Sequence, residues 1–228
     1  MAKPEHQQRR LYGRRQSRPL NTQRQEAFDT LMPKLQIEVA PALDPKTLFP
    51  ASKTEHWLEI GFGNGEHLTA LMQTHPENGY IGVEPYINGM AAFLKDIKDE
   101  PCDNIRVLMD DAILLCENLT DECLDGIYVL NPDPWPKTRH HKRRIISRDN
   151  LDIFARILKP GAALIMSTDV DGLAEWIVTQ SFTHPAFEWT AKCADDWRKT
   201  PENWIKTRYE EKGAKGSSNM SYLIFKRI

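Results

Sequence analysis

From residue 56 onward the chain alternates short apolar runs with longer amphipathic segments. The runs predict strands at 56–60, 80–84, 105–109, 124–130 and 162–167. The intervening segments, apolar at three- and four-residue spacing, predict helices at 65–74, 87–98, 111–119, 147–158 and 171–182. This alternation specifies an α/β fold, a doubly wound and mostly parallel sheet covered by helices on both faces. Upstream, Ala27, Phe28, Leu31, Met32 and Leu35 predict a helix over 25–35 that packs on the main domain, before Pro41, Pro45 and Pro50 break the chain. At the other end, Glu188-Trp189-Thr190 and Tyr222-Leu223-Ile224-Phe225 predict a C-terminal antiparallel strand pair. The polar stretch 195–219 between them reads as a mobile flap that orders on substrate.

At 228 residues the chain suits one well-cored domain over 26–228, preceded by an arm over 1–25. That arm holds seven Lys and Arg against Glu5 alone, a local charge of +6, which leaves the rest of a chain of net charge -2 at -8. Such an arm fits nucleic-acid binding or a disordered, solvated tail equally well. Cys102, Cys116, Cys123 and Cys193 match no metal or disulfide spacing, so buried thiols in a reducing compartment and no metal site are expected. No apolar run is long enough to span a membrane, and polar residues follow Met1-Ala2-Lys3-Pro4, so a cytoplasmic protein is expected.

In an open parallel sheet, ligands bind beyond the carboxyl ends of the strands. Those ends carry Glu59, Glu84, Asp110-Asp111, the stretch 131–133 and Asp169. For Asp110 and Asp171 the preferred reading is helix capping at the strand-to-helix turn. The loop Glu59-Ile60-Gly61-Phe62-Gly63-Asn64-Gly65-Glu66 follows the first strand and opens the first helix, and Gly61 and Gly63 allow a ligand close to the backbone. Its carboxylates Glu59 and Glu66 would repel the pyrophosphate of a dinucleotide, and its third glycine falls two residues after the second, short of the nicotinamide-binding spacing. S-adenosylmethionine fits better, because its sulfonium and ammonium welcome carboxylates. Glu84 is placed to accept the ribose hydroxyls, and Asp111 could accept from the adenine amino group while Ala112 leaves room for the ring.

The stretch 131–144, Asn-Pro-Asp-Pro-Trp-Pro-Lys-Thr-Arg-His-His-Lys-Arg-Arg, joins a stiff half to a basic half. Pro132, Pro134 and Pro136 push Asn131, Asp133 and Trp135 away from the helical region toward an extended backbone, which groups an amide, a carboxylate and an indole on one face. Trp135 reads equally as a stacking platform for a base or as a hydrophobic plug. Lys137, Arg139, Lys142, Arg143 and Arg144 are suited to phosphate, with His140 and His141 as weaker partners. A rigid lip followed by an anion-binding arm points to an enzyme that works on a nucleobase.

With these motifs together the chain resembles the tRNA (guanine-N7-)-methyltransferase family. The resemblance is carried by EIGFGNGE at 59–66, Gly82-Val83-Glu84, Pro132 to Lys137 with the basic residues after it, Thr168-Asp169, and Thr207-Arg208-Tyr209-Glu210 with Lys212. It implies a Rossmann-like class I methyltransferase fold and methyl transfer from S-adenosylmethionine to N7 of a guanine in the tRNA variable loop, at tRNA position 46. Residue by residue, it implies that Glu59, Glu84, Asp111 and Asp133 line the cofactor site, with Asp133 also catalytic. Lys137, Asp169, Thr207, Arg208, Tyr209 and Glu210 would bind the tRNA. Asn131 departs from the family pattern, which more usually has an aromatic residue before the Pro-Asp pair.

Guanine N7 carries an in-plane lone pair and no proton at neutral pH, so methylation needs placement more than a general base. Asp133 is therefore expected to orient the base and to stabilise the positive charge that moves onto the purine. Two other readings stand beside this one. Asn131-Pro132-Asp133-Pro134-Trp135 loosely resembles the Asn-Pro-Pro-aromatic motif of amino-group methyltransferases acting on adenine or glutamine, and a non-catalytic RNA-binding subunit could keep the same fold.

Overall fold

The computed structural model describes residues 13, 15–207, 210 and 220–228. Five strands alternate with helices as the periodicity predicts: β1 His56–Ile60, β2 Gly79–Val83, β3 Ile105–Leu108, β4 Leu124–Leu130 and β5 Leu158–Thr168. The helices α2 Glu66–Thr74, α3 Ile87–Asp96, α4 Ala112–Asn118, α5 Arg148–Ile157 and α6 Asp171–Phe182 fall between or after them. Ahead of these lies α1 Thr22–Leu35, and behind them come β6 Phe187–Trp189, the short α7 Asp195–Arg198 and β7 Ser221–Arg227. Local chemistry sets several boundaries. Asn21, Asp111 and Ser147 each turn a side-chain oxygen onto a free amide at the start of α1, α4 and α5, removing one of the unpaired donors there.

The strands form one seven-stranded sheet in the order β3-β2-β1-β4-β5-β7-β6. β1 to β5 run parallel, while β7 inserts between β5 and β6 antiparallel to both, which is the C-terminal strand pair expected from the sequence. Strand order reverses between β1 and β4, so their adjoining loops open a crevice at that point.

Alternate strand residues feed two cores. Leu58, Ile81, Ile127 and Leu164 pack against α4, α5 and α6 with no exposed surface, whereas Tyr80, Ile105 and Val107 meet α1, α2 and α3 on the other face. Each fully buried side chain of this size stabilises the fold by about 1.5–3 kcal/mol, which makes the register costly to shift. α1 lies on the second face through Ala27, Met32 and Leu35, as its spacing predicts, and begins at Thr22, inside the basic stretch. Just before it, residues 15–18 are bonded to the start of α3: Ile87 N donates to the Arg15 carbonyl and Ser17 N to Asn88 Oδ1.

The expected flap is described only in part. Residues 195–198 form α7, while 208, 209 and 211–219 lie outside the described residues. The cysteines split: Cys116 and Cys123 are buried and burial pushes their thiols up, Cys123 to about 11, but Cys193 is exposed, contrary to expectation. Among the described residues no helix is long and apolar enough to cross a membrane.

Candidate active site

Three backbone hydrogen bonds extend the parallel ladder one step beyond the strands: Gly61 N to Val83 O, Glu84 N to Leu108 O and Asn131 N to Ser167 O. They bring the glycine loop, Glu84 and the proline lip to one edge. The edge borders a cavity of about 950 Å³ lined by Gly61, Glu84, Asp110, Asp111, Asn131, Asp133 and Trp135, among others. Four of the six cofactor positions expected from the sequence thus share this space: Gly61, Glu84, Asp111 and Asp133.

Glu84 is nearly buried, and its carboxylate accepts from Gly63 N at 2.8 Å and Tyr86 N at 2.9 Å. Burial raises its pKa, the two amide donors oppose that rise, and the negative charge of Asp133 adds to it. Gly61 and Gly63 take positive φ, and a Cβ built on either would meet nothing within 4 Å, so the loop leaves open space beside the backbone. Carboxylates at fixed positions around that space suit a cationic ligand with hydroxyls. Arg15, Lys142, Arg143 and Arg144 line the same cavity as these carboxylates.

Glu59 and Gly63 do not line the cavity. Glu59 points from β1 toward α2, where Oε2 lies 2.8 Å from His67 Nδ1 in a fully buried pair. Asp111 lines the cavity and is also the N-cap of α4, with Oδ1 accepting from Ile113 N. The capping role expected of Asp110 therefore belongs to its neighbour. Asp110 instead accepts the Asp111 amide and lines the cavity. Asp171 is likewise not a cap; it is the first residue of α6, behind Val170, and its Oδ1 lies 3.5 Å from Arg198.

The lip differs from expectation in backbone but not in outcome. Asn131 and Trp135 adopt φ of 47° and 41°, left-handed instead of extended, because proline disfavours only the right-handed helical region for the residue before it. Even so, Asn131, Asp133 and Trp135 all line the same cavity. Beyond them the basic run makes a 3-10 turn, Thr138–Arg143, with Lys137 and Arg139 exposed. The Arg143 guanidinium lies over the Trp135 ring, 4.9 Å from its centroid. Arg144, expected to meet phosphate, lines the cavity but is largely buried: it donates Nε to Pro134 O at 2.9 Å and stacks on Trp176. Its role is to brace the lip.

Of the substrate residues expected from the sequence, Lys137, Asp169 and Thr207 do not line the cavity, and Arg208 and Tyr209 lie outside the described residues, as does Lys212. Glu210 is brought to the lip, its Oε1 accepting from Asn131 Nδ2 at 3.3 Å. Gly13 and Arg15 of the basic arm, Tyr86 after β2 and Ser147 and Asn150 at the start of α5 also line the cavity. Nothing in the local pattern signals those. Among the described residues no group of three or more His, Cys, Asp or Glu is placed to hold a metal.

A family profile described as "Putative methyltransferase" matches residues 53–222. A tRNA (guanine-N(7)-)-methyltransferase of Rhodospirillum rubrum is 44% identical over 223 residues, covering 96% of this chain and 88% of that protein. A protein of the same name from Brucella anthropi is 43% identical over 220 residues, covering 95% and 94%. Among solved structures, the 16S rRNA methyltransferase KamB superposes with a TM-score of 0.58 at 15% identity, over 83% of this chain and 96% of that one. At that identity the likeness speaks for the fold, the class I methyltransferase arrangement.

Proposed function

The chain belongs to the tRNA (guanine-N7-)-methyltransferase family, and we propose that it methylates N7 of the guanine at tRNA position 46, in the variable loop, with S-adenosylmethionine as donor. The observation that carries this reading is the meeting of two acidic groups at the switch point: Glu84 from β2 and Asp133 from the lip line one cavity, close enough for the Asp133 charge to raise the Glu84 pKa. Behind Asp133 a basic turn begins at once.

When bound, S-adenosylmethionine supplies an electrophilic methyl group on a positively charged sulfur. Glu84, Gly61 and Asp111 would hold it, with Gly63 fixing Glu84 through its amide and Glu59 tying β1 to α2 through His67. Glu84 keeps acceptor capacity for hydroxyls even with two amides bonded to it, since each carboxylate oxygen can accept more than one donor. Asp133, exposed at the rim and braced between two prolines, presents a fixed negative charge to an incoming base. It can accept from the N–H groups of a guanine Watson–Crick edge, which adenine does not offer in the same pattern, and so orients N7 without removing a proton. A positioned anion of this kind stabilises positive charge developing on the purine. Lys137 and Arg139, exposed on the turn, are suited to tRNA phosphates, and Asp169, Thr207 and Glu210, with Arg208 and Tyr209, to the nucleotides around the target. The enzyme so read works on tRNA in the cytoplasm.

The test is methylation of unmodified tRNA transcripts with labelled S-adenosylmethionine, with and without the variable-loop guanine. Label should appear as 7-methylguanosine in the first transcript only. Label on an exocyclic amino group would restore the amino-group reading, and failure to bind S-adenosylmethionine would restore the non-catalytic one.

A further inference from the structure

Glu210 lies outside the strands of the described residues, yet its carboxylate is fixed from two sides. Trp204 Nε1 donates to Oε2 at 3.0 Å, and Asn131 Nδ2 donates to Oε1 at 3.3 Å. The Glu210 amide is itself tied to Thr207 Oγ1 at 3.3 Å. Trp204 is in turn wedged into the body of the protein. Its ring meets Tyr222 of β7 edge-on, with centroids 4.8 Å apart, and stands 6.3 Å from the ring of His67 on α2, the buried partner of Glu59. Asn131 is equally anchored, with its amide on the β5 carbonyl of Ser167. One carboxylate therefore bridges an indole fixed to the sheet and the first residue of the lip that carries Asp133.

We propose that Trp204 is a positioning residue for methyl transfer: it orients the Glu210 carboxylate so that it is clasped to Asn131, two residues before Asp133. The inference rests on the reading of Asp133 and the 207–210 segment as methyl-transfer and tRNA-binding groups. Without the indole N–H, the Glu210 carboxylate loses one of these two side-chain donors and turns toward water, which loosens its bond to Asn131. The ring packing alone does not hold it, because the ring meets Tyr222 and His67 and leaves the carboxylate to the N–H.

Trp204→Phe keeps an aromatic ring in the wedge and deletes the donor, with part of the indole volume lost as well. Compared with the wild type on the guanine-46 transcript, kcat should fall about tenfold, the loss expected for one hydrogen bond to a charged group, while the KM for S-adenosylmethionine stays within about twofold. Glu210→Gln, which keeps the shape but not the charge, should weaken the same clasp. The double variant should then be no worse than the poorer single one, since both remove one interaction. The melting temperature of Trp204→Phe should fall only slightly, from the ring volume lost, and a Trp204→Tyr variant, which keeps more of that volume without the indole N–H, should show the same kinetic loss. Wild-type kinetics in Trp204→Phe, losses that multiply in the double variant, or a parallel fall in cofactor affinity and melting temperature would each overturn the positioning role. A wild type inactive on the guanine-46 transcript, yet able to bind S-adenosylmethionine, would instead overturn the functional reading beneath it, and the clasp with it.

Discussion

Arg144 donates its Nε to the carbonyl of Pro134 at 2.9 Å, so the last cation of the basic run faces inward and braces the lip. Arg144→Ala should lower the melting temperature and the methylation rate together, because the half-buried Pro134 carbonyl loses its donor and Trp176 loses its stacking partner. The dependence of tRNA affinity on salt should stay as in the wild type. A flattened salt slope would show that Arg144 binds phosphate after all.

Lys137 and Arg139 are the opposite case, exposed at the start of the same turn. Charge removal at both should weaken tRNA binding regardless of sequence. It should also reduce the slope of log affinity against log salt by roughly 0.7–0.9 for each phosphate that is no longer neutralised. Binding measured at several salt concentrations checks this, and thermal stability should not move.

Asp133 lines the cavity without being built into the sheet. Asp133→Ala should cut methyl transfer by about 100-fold or more, as for removal of a group aimed at developing charge, with S-adenosylmethionine affinity kept within about tenfold. Calorimetry alongside single-turnover methylation separates the two. Comparable activity in the variant would refute the electrostatic role.

Glu84 holds the glycine loop and faces the cavity at once. Glu84→Ala should weaken S-adenosylmethionine binding by roughly 10- to 100-fold, the range for lost hydrogen bonds to a charged acceptor. Because burial raises the Glu84 pKa, wild-type cofactor affinity should begin to fall on acidification above the ordinary carboxylate range. A titration of the dissociation constant against pH reports that directly.

His56 is buried at the start of β1 with Nδ1 lacking a hydrogen-bond partner among the described residues. Burial lowers its pKa, outweighing the nearby Asp125 carboxylate, with Lys159 adding to the decrease. In the unfolded chain the imidazole takes a proton below about pH 6.5, whereas the folded protein resists until its lower value is reached. Stability should therefore decline as pH falls through that interval and stay level above it. His56→Gln should flatten the decline in melting temperature between about pH 7 and pH 5.

The strands and helices from β1 to α6 were legible because each one's apolar period is a local property, set by which residues must face a neighbour within a few positions. The carboxyl-end positions of Gly61, Glu84, Asp111 and Asp133 followed from the same periodicity, since each strand's end is fixed once its pattern stops. Side-chain partnerships were not legible. Asn131 meeting Glu210 depends on how the sheet order brings distant residues together. Glu59 turning to His67, Arg144 bracing Pro134, Asp111 in place of Asp110 as cap, and Trp204 holding Glu210 join residues near in sequence, but apolar periodicity says nothing of which way a polar side chain turns. The backbone of the lip belongs with them. Proline restricts Asn131 and Trp135 locally, but the left-handed region they adopt goes with tertiary contacts, the Asn131 bond to Ser167 and the Arg143 guanidinium over Trp135. By itself, then, the sequence determined the fold class, the edge where chemistry occurs and the kinds of group gathered there. Only the tertiary structure decided which of those groups face the cavity and which hold the others in place, because that choice follows from three-dimensional neighbours that no local pattern encodes.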